Sequence, residues 1–342
     1  MKKLVIIGGG FAGSKIAKAL EKNFDTTLID TKDYFEFTPG ILPAIVDMEC
    51  MKEIQVMHSH YLSHANIIIG QVKKISEKEV SVNSKKIPFD YLVIASGSSY
   101  SFPFKEKDMV FANRAGELRE HYTALTKAKK ILIIGGGFTG VELAGEIACK
   151  YPEKETTIVH SMDRLLERQP KRVSNYARKI LEKHGVRIIF NELIDSCKND
   201  VYCTKKGTKI KTDLAFLCVG ITPNSGFMKS NFSKLLDKRG HIATNQFLQM
   251  KDHKNIFVAG DVTDLKEEKT AQSALEHADI IIENLKRLEN QKPLKSYTHI
   301  DRGMLISLGP HKGILSKGNF VLTGFIPRII KSYIQRKQMM SL

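Results

Sequence analysis

Two nearly identical stretches decide the fold: KKLVIIGGGFAG at residues 2–13 and KKILIIGGGFTG at residues 129–140, which begin 127 residues apart. In each copy a short aliphatic run predicts a buried parallel strand, G-x-G-x-x-G follows, and a helical pattern comes next, over residues 14–23 and 141–150. Strand, glycine turn and helix in this order form the unit that binds a dinucleotide. The sequence therefore predicts two such units.

The glycines of each copy have separate steric tasks. One permits the tight turn, one lets backbone N–H groups approach a pyrophosphate, and one lets the helix pack closely on the strand. The partial positive charge of the helix N-terminus then faces the phosphates. We expect one nucleotide site at Gly8, Gly10 and Gly13 and a second at Gly135, Gly137 and Gly140.

The residue at the tip of the second strand distinguishes the two sites. In the first unit TTLID ends at Asp30, whose carboxylate can accept from both ribose hydroxyls. In the second unit TTIVH ends at His160, with Arg164 nearby, so no carboxylate at the tip repels a 2′-phosphate. This site is predicted to accept NADPH as well as NADH; in the alternative, His160 and Arg164 face solvent. Two sites favour one tightly held flavin and one exchangeable nicotinamide, and hence electron transfer.

Length and composition limit the other possibilities. The chain of 342 residues has room for about two domains, and no apolar run approaches the roughly 20 residues of a membrane-spanning helix. Its five cysteines include no CxxC pair, which favours reduced thiols, with neither a disulfide scaffold nor a metal site.

The charge is strongly positive and unevenly distributed. The formal net charge is +16, and residues 291–342 carry nine Lys or Arg against one Asp. Near the end of the chain the helical period separates Arg328, Lys331 and Gln335 from an apolar arc, composed of Ile326, Ile329, Ile330, Tyr333, Ile334 and Met340. This pattern favours attachment to an anionic membrane surface; the alternative is packing on the protein body or in a homodimer. No nucleic-acid role is expected, because no binding motif accompanies the charge.

Three further segments complete a resemblance to the two-dinucleotide-binding flavoproteins of the pyridine-nucleotide oxidoreductase superfamily, over about residues 2–288. FDYLVIASGSS at residues 89–99 resembles the strand that ends beside the flavin, at Ala95 and Gly97. DLAFLCVGITPN at residues 213–224 resembles the turn near the nicotinamide, with Gly220. NIFVAGDVTD at residues 255–264 resembles the second flavin segment, in which Gly260 and Asp261 hold the ribityl chain.

The branch of the superfamily is indicated by residues 33–47, DYFEFTPGILPAIVD. In the glutathione reductase branch the active-site disulfide would lie in this region. Because the segment contains no cysteine, the resemblance argues against dithiol chemistry. The F-x-F-x-P-x-x-L-P pattern around Pro39 resembles type II NADH dehydrogenases, sulfide:quinone oxidoreductases and the ferroptosis-suppressor branch of apoptosis-inducing-factor-like proteins. GVELAGEIACKYPEKETTIVHS at residues 140–161 is similar to this last branch along its whole length.

The resemblance also implies roles near the two reacting rings. Glu142 matches a glutamate that lies near the nicotinamide carboxamide in relatives. Its carboxylate could accept a hydrogen bond from the NH2 group of that carboxamide. Ala271 and Gln272 begin a segment that resembles the family's A-Q-x-A, at a helix whose positive end points at the flavin. Glu276 and His277 stand where Gln and Gly are common; they could protonate a reduced quinone, or be ordinary residues of the helix surface.

The expectations are an α/β fold with two Rossmann-like domains, for FAD and NAD(P), and a small C-terminal module. The expected boundaries are 1–113 and 233–290 for the two parts of the FAD domain, 114–232 for the nicotinamide domain and 291–342 for the module. The expected function is FAD-dependent NAD(P)H:quinone oxidoreduction, on the inner, cytoplasmic face of a membrane. Alternatives are a reductase of a ferredoxin- or rubredoxin-like protein and a redox-sensing flavoprotein with little turnover.

Overall fold

A computed structural model of the chain describes residues 1–100, 114–198 and 200–341. The described strands are β1 (Lys3–Ile7), β2 (Asp25–Asp30), β3 (Tyr34–Glu36), β4 (Gln55–Met57), β5 (Asn66–Ile69), β6 (Val72–Ile75), β7 (Glu79–Val82), β8 (Lys85–Pro88), β9 (Tyr91–Ile94), β10 (Ser98–Tyr100), β11 (Lys130–Ile134), β12 (Glu155–Val159), β13 (Arg187–Ile189), β14 (Ile194–Lys198), β15 (Val201–Thr204), β16 (Lys209–Lys211), β17 (Leu214–Leu217), β18 (Ile221–Pro223), β19 (Ile256–Val258), β20 (Met304–Ser307), β21 (Gly313–Lys317) and β22 (Phe320–Gly324). The described α-helices are α1 (Phe11–Leu20), α2 (Ile41–Val46), α3 (His58–Tyr61), α4 (Arg114–Lys127), α5 (Phe138–Lys150), α6 (Lys171–Lys183), α7 (Ala271–Glu289) and α8 (Phe325–Met340).

The first sheet has five parallel strands in the order β19, β9, β1, β2, β5. Its central strand, β1, is the aliphatic run of the first repeat, and its last four residues are buried. Such a run is buried because helices cover both faces of a parallel sheet. Helices α1 and α7 pack against each other beside this sheet.

The second sheet repeats the plan with four parallel strands in the order β13, β12, β11, β17. One of its two inner strands, β11, is the aliphatic run of the second repeat, and α5 follows it as α1 follows β1. The predicted α/β fold with two Rossmann-like sheets is confirmed.

Contacts between the two sheets and their helices include a strand pair and a helix packing. Strands β10 and β18 pair antiparallel, with Ser98 opposite Pro223. Helix α2 packs on α4 and α5, and Lys150 of α5 lies 2.8 Å from Asp47. The predicted domain boundaries stay predictions, and the charged, proline-containing segment on which the first one rests, residues 101–108, lies outside the described residues.

The C-terminal module is an antiparallel sheet of β20, β21 and β22 followed by α8. It lies directly against α5, because a Cβ atom on Gly145 would be 2.8 Å from the backbone nitrogen of Gly309. No helix among the described residues has the length and apolar character needed to cross a membrane.

Helix α8 presents its apolar arc to solvent. Ile326, Ile329 and Tyr333 are 58%, 50% and 64% exposed. The opposite side carries Lys331, which reaches Glu142 of α5. Within the described chain, therefore, the polar side of α8 packs on the protein body.

Candidate active site

The first glycine turn is open on one side only. Gly8 has φ +98°, and a Cβ atom there would lie 2.3 Å from the carbonyl oxygen of Ala95. A Cβ atom on Gly13 would lie 1.8 Å from the Gly8 oxygen, whereas one on Gly10 would meet no atom within 4 Å. Gly8 and Gly13 therefore serve close packing, and the open side at Gly10, where α1 begins, fits a pyrophosphate.

The second turn repeats these contacts one by one. Gly135 has φ +114°, and its added Cβ atom would lie 2.5 Å from the oxygen of Cys218. A Cβ atom on Gly140 would lie 2.0 Å from the Gly135 oxygen, and one on Gly137 would again meet nothing within 4 Å. Both turns fit the dinucleotide that the sequence predicts for them.

Asp30 is fixed at the tip of β2 by two donors. Its Oδ2 accepts from the Gly9 N–H at 2.7 Å and lies 3.3 Å from Nε2 of His58. Burial alone would raise the pKa of Asp30, but the hydrogen bond from His58 and the charge of Lys32 outweigh it and hold the pKa below its usual value. The carboxylate is thus ionised and can accept from a ribose.

Sequence reasoning missed His58, which is fully buried in α3, with Nδ1 2.6 Å from the Tyr61 hydroxyl. No motif marks it, because it meets Asp30 only through the fold.

His160 is the structural counterpart of Asp30. Its Nδ1 accepts from the Gly136 N–H at 3.0 Å, as Asp30 accepts from Gly9, and its ring is 7% exposed. Its Nε2 lies 3.3 Å from Oε2 of Glu167, a carboxylate that the sequence analysis did not single out. Arg164 donates to the backbone oxygen of Glu167 at 2.5 Å. The second strand tip therefore carries an imidazole, a guanidinium and a carboxylate together.

The segment after β9 is tied to the turn after β18. Ser96 donates to the backbone oxygen of Asn224 at 2.7 Å, and the Asn224 side chain donates back to the Ser96 oxygen at 3.0 Å. The hydroxyl of Ser98 donates to Asp261 at 2.5 Å. Between them Gly97, with φ +64°, has no atom within 4 Å of an added Cβ. The two expected flavin segments thus meet beside an open surface.

Two other predicted positions are placed by turns. Gly220 has φ +103°, and an added Cβ atom there would meet no atom within 4 Å, as at Gly97. Pro39 lies in a 3-10 turn, Thr38–Gly40, that adjoins Phe37, and the ring of Phe37 contacts Phe11 at the start of α1 with centroids 5.5 Å apart.

Glu142 lies in a buried group of charges between α5 and the C-terminal module. Its Oε1 accepts from the Ser307 N–H at 2.7 Å and from the ammonium group of Lys331. Glu146, one turn further along α5, is 5% exposed; burial, opposed by Arg328 and aided by the charge of Glu142, raises its pKa to about 7. The C-terminal helix therefore reaches the residue expected beside the nicotinamide.

A polar pocket of about 650 Å³ lies at the N-terminus of α7, where Thr270 caps the helix by accepting from the Ser273 N–H. Gln272 and Glu276 line it, together with residues 168–170, between β12 and α6, and residues of the C-terminal module. The Glu276 side chain is 11% exposed and lies 2.9 Å from Nε of Arg302. Ala271, at the first position of α7, is half-buried.

His277 is directed away from this pocket. It has no exposed surface, its Nδ1 accepts from the Gly260 N–H at 2.9 Å, and its Nε2 lies 2.8 Å from Oε1 of Glu267. The structure therefore brings Gln272 and Glu276 together and separates His277 from them.

All five cysteines are free thiols. Cys218 is buried and burial raises its pKa, while Cys149 packs against Gly309 of the C-terminal module. Both placements agree with packing residues.

The family model described as pyridine nucleotide-disulphide oxidoreductase matches residues 2–278. Apoptosis-inducing factor homolog A of Dictyostelium discoideum is 34% identical, over 97% of this chain and 89% of the relative. Ferroptosis suppressor protein 1 of Mus musculus is 31% identical, over 96% of this chain and 92% of the relative.

Solved structures show the same fold at lower identity. The sulfide:quinone oxidoreductase of Aquifex aeolicus has a TM-score of 0.83 at 19% identity, covering 98% of this chain and 90% of its own. NDH2 of Plasmodium falciparum, solved with NADH, has a TM-score of 0.82 at 14% identity, covering 99% and 97%.

Proposed function

Because the chain belongs to the pyridine nucleotide-disulphide oxidoreductase family and is an FAD-dependent NAD(P)H oxidoreductase, we propose that its electron acceptor is a quinone. The observation that carries this proposal is the pocket at the N-terminus of α7, which Gln272 and Glu276 line. A sulfide:quinone oxidoreductase and NDH2, which share this fold, support it. When bound, the nicotinamide supplies a hydride and the flavin passes its electron pair to the acceptor.

Reduction of a quinone to a quinol also consumes two protons, which come from solvent, and we propose that Glu276 relays them to the acceptor. It lines the pocket, and its Oε1 lies 2.9 Å from Nε of Arg302. We assign no such role to His277, because its ring is fully buried, its Nδ1 accepts from the Gly260 N–H, and its Nε2 lies 2.8 Å from Glu267. Gln272 is proposed to orient the acceptor through its side-chain amide.

For the nicotinamide we propose Glu142, Gly137 and Gly220 as binding residues, with NADH favoured over NADPH. The carboxylate of Glu167 lies 3.3 Å from His160 and would repel a 2′-phosphate. The guanidinium of Arg164 would attract one, and it is engaged by the Glu167 backbone oxygen. Because the Glu167 carboxylate and the Arg164 guanidinium have opposite effects on a 2′-phosphate, both NADH and NADPH are tested in the first experiment.

We further propose that the enzyme docks on an anionic membrane surface through α8. The exposed apolar residues of this helix, Ile326, Ile329 and Tyr333, suit the acyl boundary of a bilayer. Arg336 and Lys337 are exposed on the same helix and suit anionic head groups. A quinone dissolved in the bilayer would then lie close to the enzyme.

The decisive experiment is anaerobic: visible flavin absorbance of the holoenzyme is followed while NADH or NADPH is added, and then a short-chain quinone. Bleaching by the nicotinamide followed by recovery with the quinone is the expected result. Bleaching without recovery would contradict the quinone proposal and favour a ferredoxin-like protein acceptor or a redox sensor.

A matched pair of variants separates the two sites in this experiment. Gly10→Ala and Gly137→Ala each add a methyl group that meets no protein atom, at φ near −75°, so the backbone accommodates both. We expect Gly10→Ala to lose flavin during purification. Gly137→Ala should keep its flavin and bleach only at higher nicotinamide concentration, by about tenfold or more. If Gly137→Ala lost its flavin and Gly10→Ala only required more nicotinamide, the assignment of flavin to the first turn and nicotinamide to the second would be wrong.

A further inference from the structure

Glu267 is a buried carboxylate that lies within reach of polar groups from two separate parts of the chain. Its side chain is 4% exposed. Its Oε1 lies 2.8 Å from Nε2 of His277 in α7, and its Oε2 accepts from the Tyr297 hydroxyl at 2.7 Å and lies 3.0 Å from Nδ1 of His299. Burial alone would raise the pKa of Glu267, but the neighbouring His277 ring and the hydrogen bond from Tyr297 hold it below its usual value. Glu267 is thus an ionised acceptor.

The geometry of His277 fixes which of its nitrogens carries the proton. The Gly260 N–H donates to Nδ1, so this nitrogen must present its lone pair. The proton of the neutral ring then lies on Nε2, which is 2.8 Å from an oxygen of the Glu267 carboxylate. Glu267 therefore selects the tautomer that the Gly260 N–H requires.

Gly260 begins the turn that carries Asp261. Its φ is +74°, and the turn continues as a 3-10 segment over Gly260–Val262. Asp261 is the next residue, and its carboxylate accepts from the Ser98 hydroxyl. A shift of Gly260 would therefore displace the backbone from which this carboxylate projects.

We propose that Glu267 and His277 are positioning residues for the flavin: the carboxylate fixes the imidazole tautomer, and the imidazole holds the Gly260 N–H and so aims Asp261. The proposal rests on FAD occupying the first nucleotide site and not on the identity of the acceptor. Without Glu267, Nδ1 can take the proton and then opposes the Gly260 N–H, donor against donor. Tyr297 and His299 extend this chain of bonds to the segment that leads into the C-terminal module.

The first test measures FAD retention: each holoenzyme is diluted serially and the fluorescence of released flavin is recorded. Glu267→Gln turns one oxygen into a donor at constant volume and should weaken FAD binding about fivefold. His277→Leu leaves the Gly260 N–H without an acceptor and should weaken it about twentyfold.

A rescue variant distinguishes positioning from simple packing. His277→Gln offers an amide oxygen to Gly260 and an amide N–H to Glu267, and it should bring FAD retention back to within about threefold of the wild type. Glu283→Gln on the exposed side of α7, where Glu283 pairs with Arg287, is the matched control and should change nothing. Equal loss in His277→Leu and His277→Gln, or an unchanged FAD affinity in Glu267→Gln, would overturn the proposal.

The second test reads the tautomer directly. In holoenzyme labelled with ¹⁵N histidine, His277 should show a protonated Nε2 and an unprotonated Nδ1, and Glu267→Gln should shift the population towards the other tautomer. A wild-type ring protonated at Nδ1 overturns the proposal even if Glu267→Gln proves poorly folded. Neither test uses a quinone, so a failure of the quinone proposal leaves this result unaffected.

Discussion

At the scale of single residues, Glu146 gives the molecule a pH dependence. Burial raises its pKa from 4.5 to about 7. The neutral carboxyl group therefore favours the folded state below about pH 4.5, and this contribution is lost as the pH rises through about 7. We expect Glu146→Gln to stabilise the protein more at pH 8 than at pH 5, by about 2 kcal/mol in the free energy of unfolding, measured by urea denaturation. Glu182→Gln, at an exposed ion pair, is the control; a pH-independent effect of Glu146→Gln would contradict the assignment.

At the scale of one element, α8 determines how the protein meets a membrane. Its outward residues Ile326 and Ile329 are each at least half exposed, and burying one such side chain in the acyl boundary contributes about 2 kcal/mol. We expect the double variant Ile326→Ser/Ile329→Ser to bind anionic vesicles at least tenfold more weakly in flotation, while NADH still bleaches its flavin. Leu193→Ser removes a leucine that is 45% exposed just before β14, and this variant should float like the wild type. Equal flotation of both variants would exclude α8 as the docking helix.

At the scale of the whole molecule, the net charge of +16 acts at longer range than any single contact. Half of this excess lies in residues 291–342, which include α8. Because salt screens exposed charges beyond about 10 Å at 0.1 M, raising NaCl from 0.05 to 0.5 M should weaken binding to anionic vesicles more than tenfold. Vesicles of neutral phosphatidylcholine are the control and should bind weakly at both concentrations. Salt-independent binding would show that charge contributes little to docking.

The fold could be predicted from the sequence because its signals are local. A strand, a turn and a helix are contiguous along the chain, so the glycine pattern fixes their order and their direction. The same locality made Asp30 and His160 recognisable, since each follows directly from a strand of its unit. His58 and Glu167 could not be predicted in this way. No motif around either residue indicates that the fold places His58 beside Asp30 and Glu167 beside His160.

The amphipathic period of α8 shows the same limit. Periodicity separates a helix into two faces, but it does not say which face is covered, since that depends on the surface of the neighbouring element. Here the buried acidic surface of α5, with Glu142 and Glu146, takes the face that carries Lys331 and leaves the apolar face outward. The sequence by itself thus determined the two nucleotide-binding units, because hydrophobic period and glycine sterics act between neighbours along the chain. Only the tertiary structure decided which charges meet across the site and which face of the last helix stays exposed, because hydrogen bonds and ion pairs between distant segments form only where the fold brings them within reach.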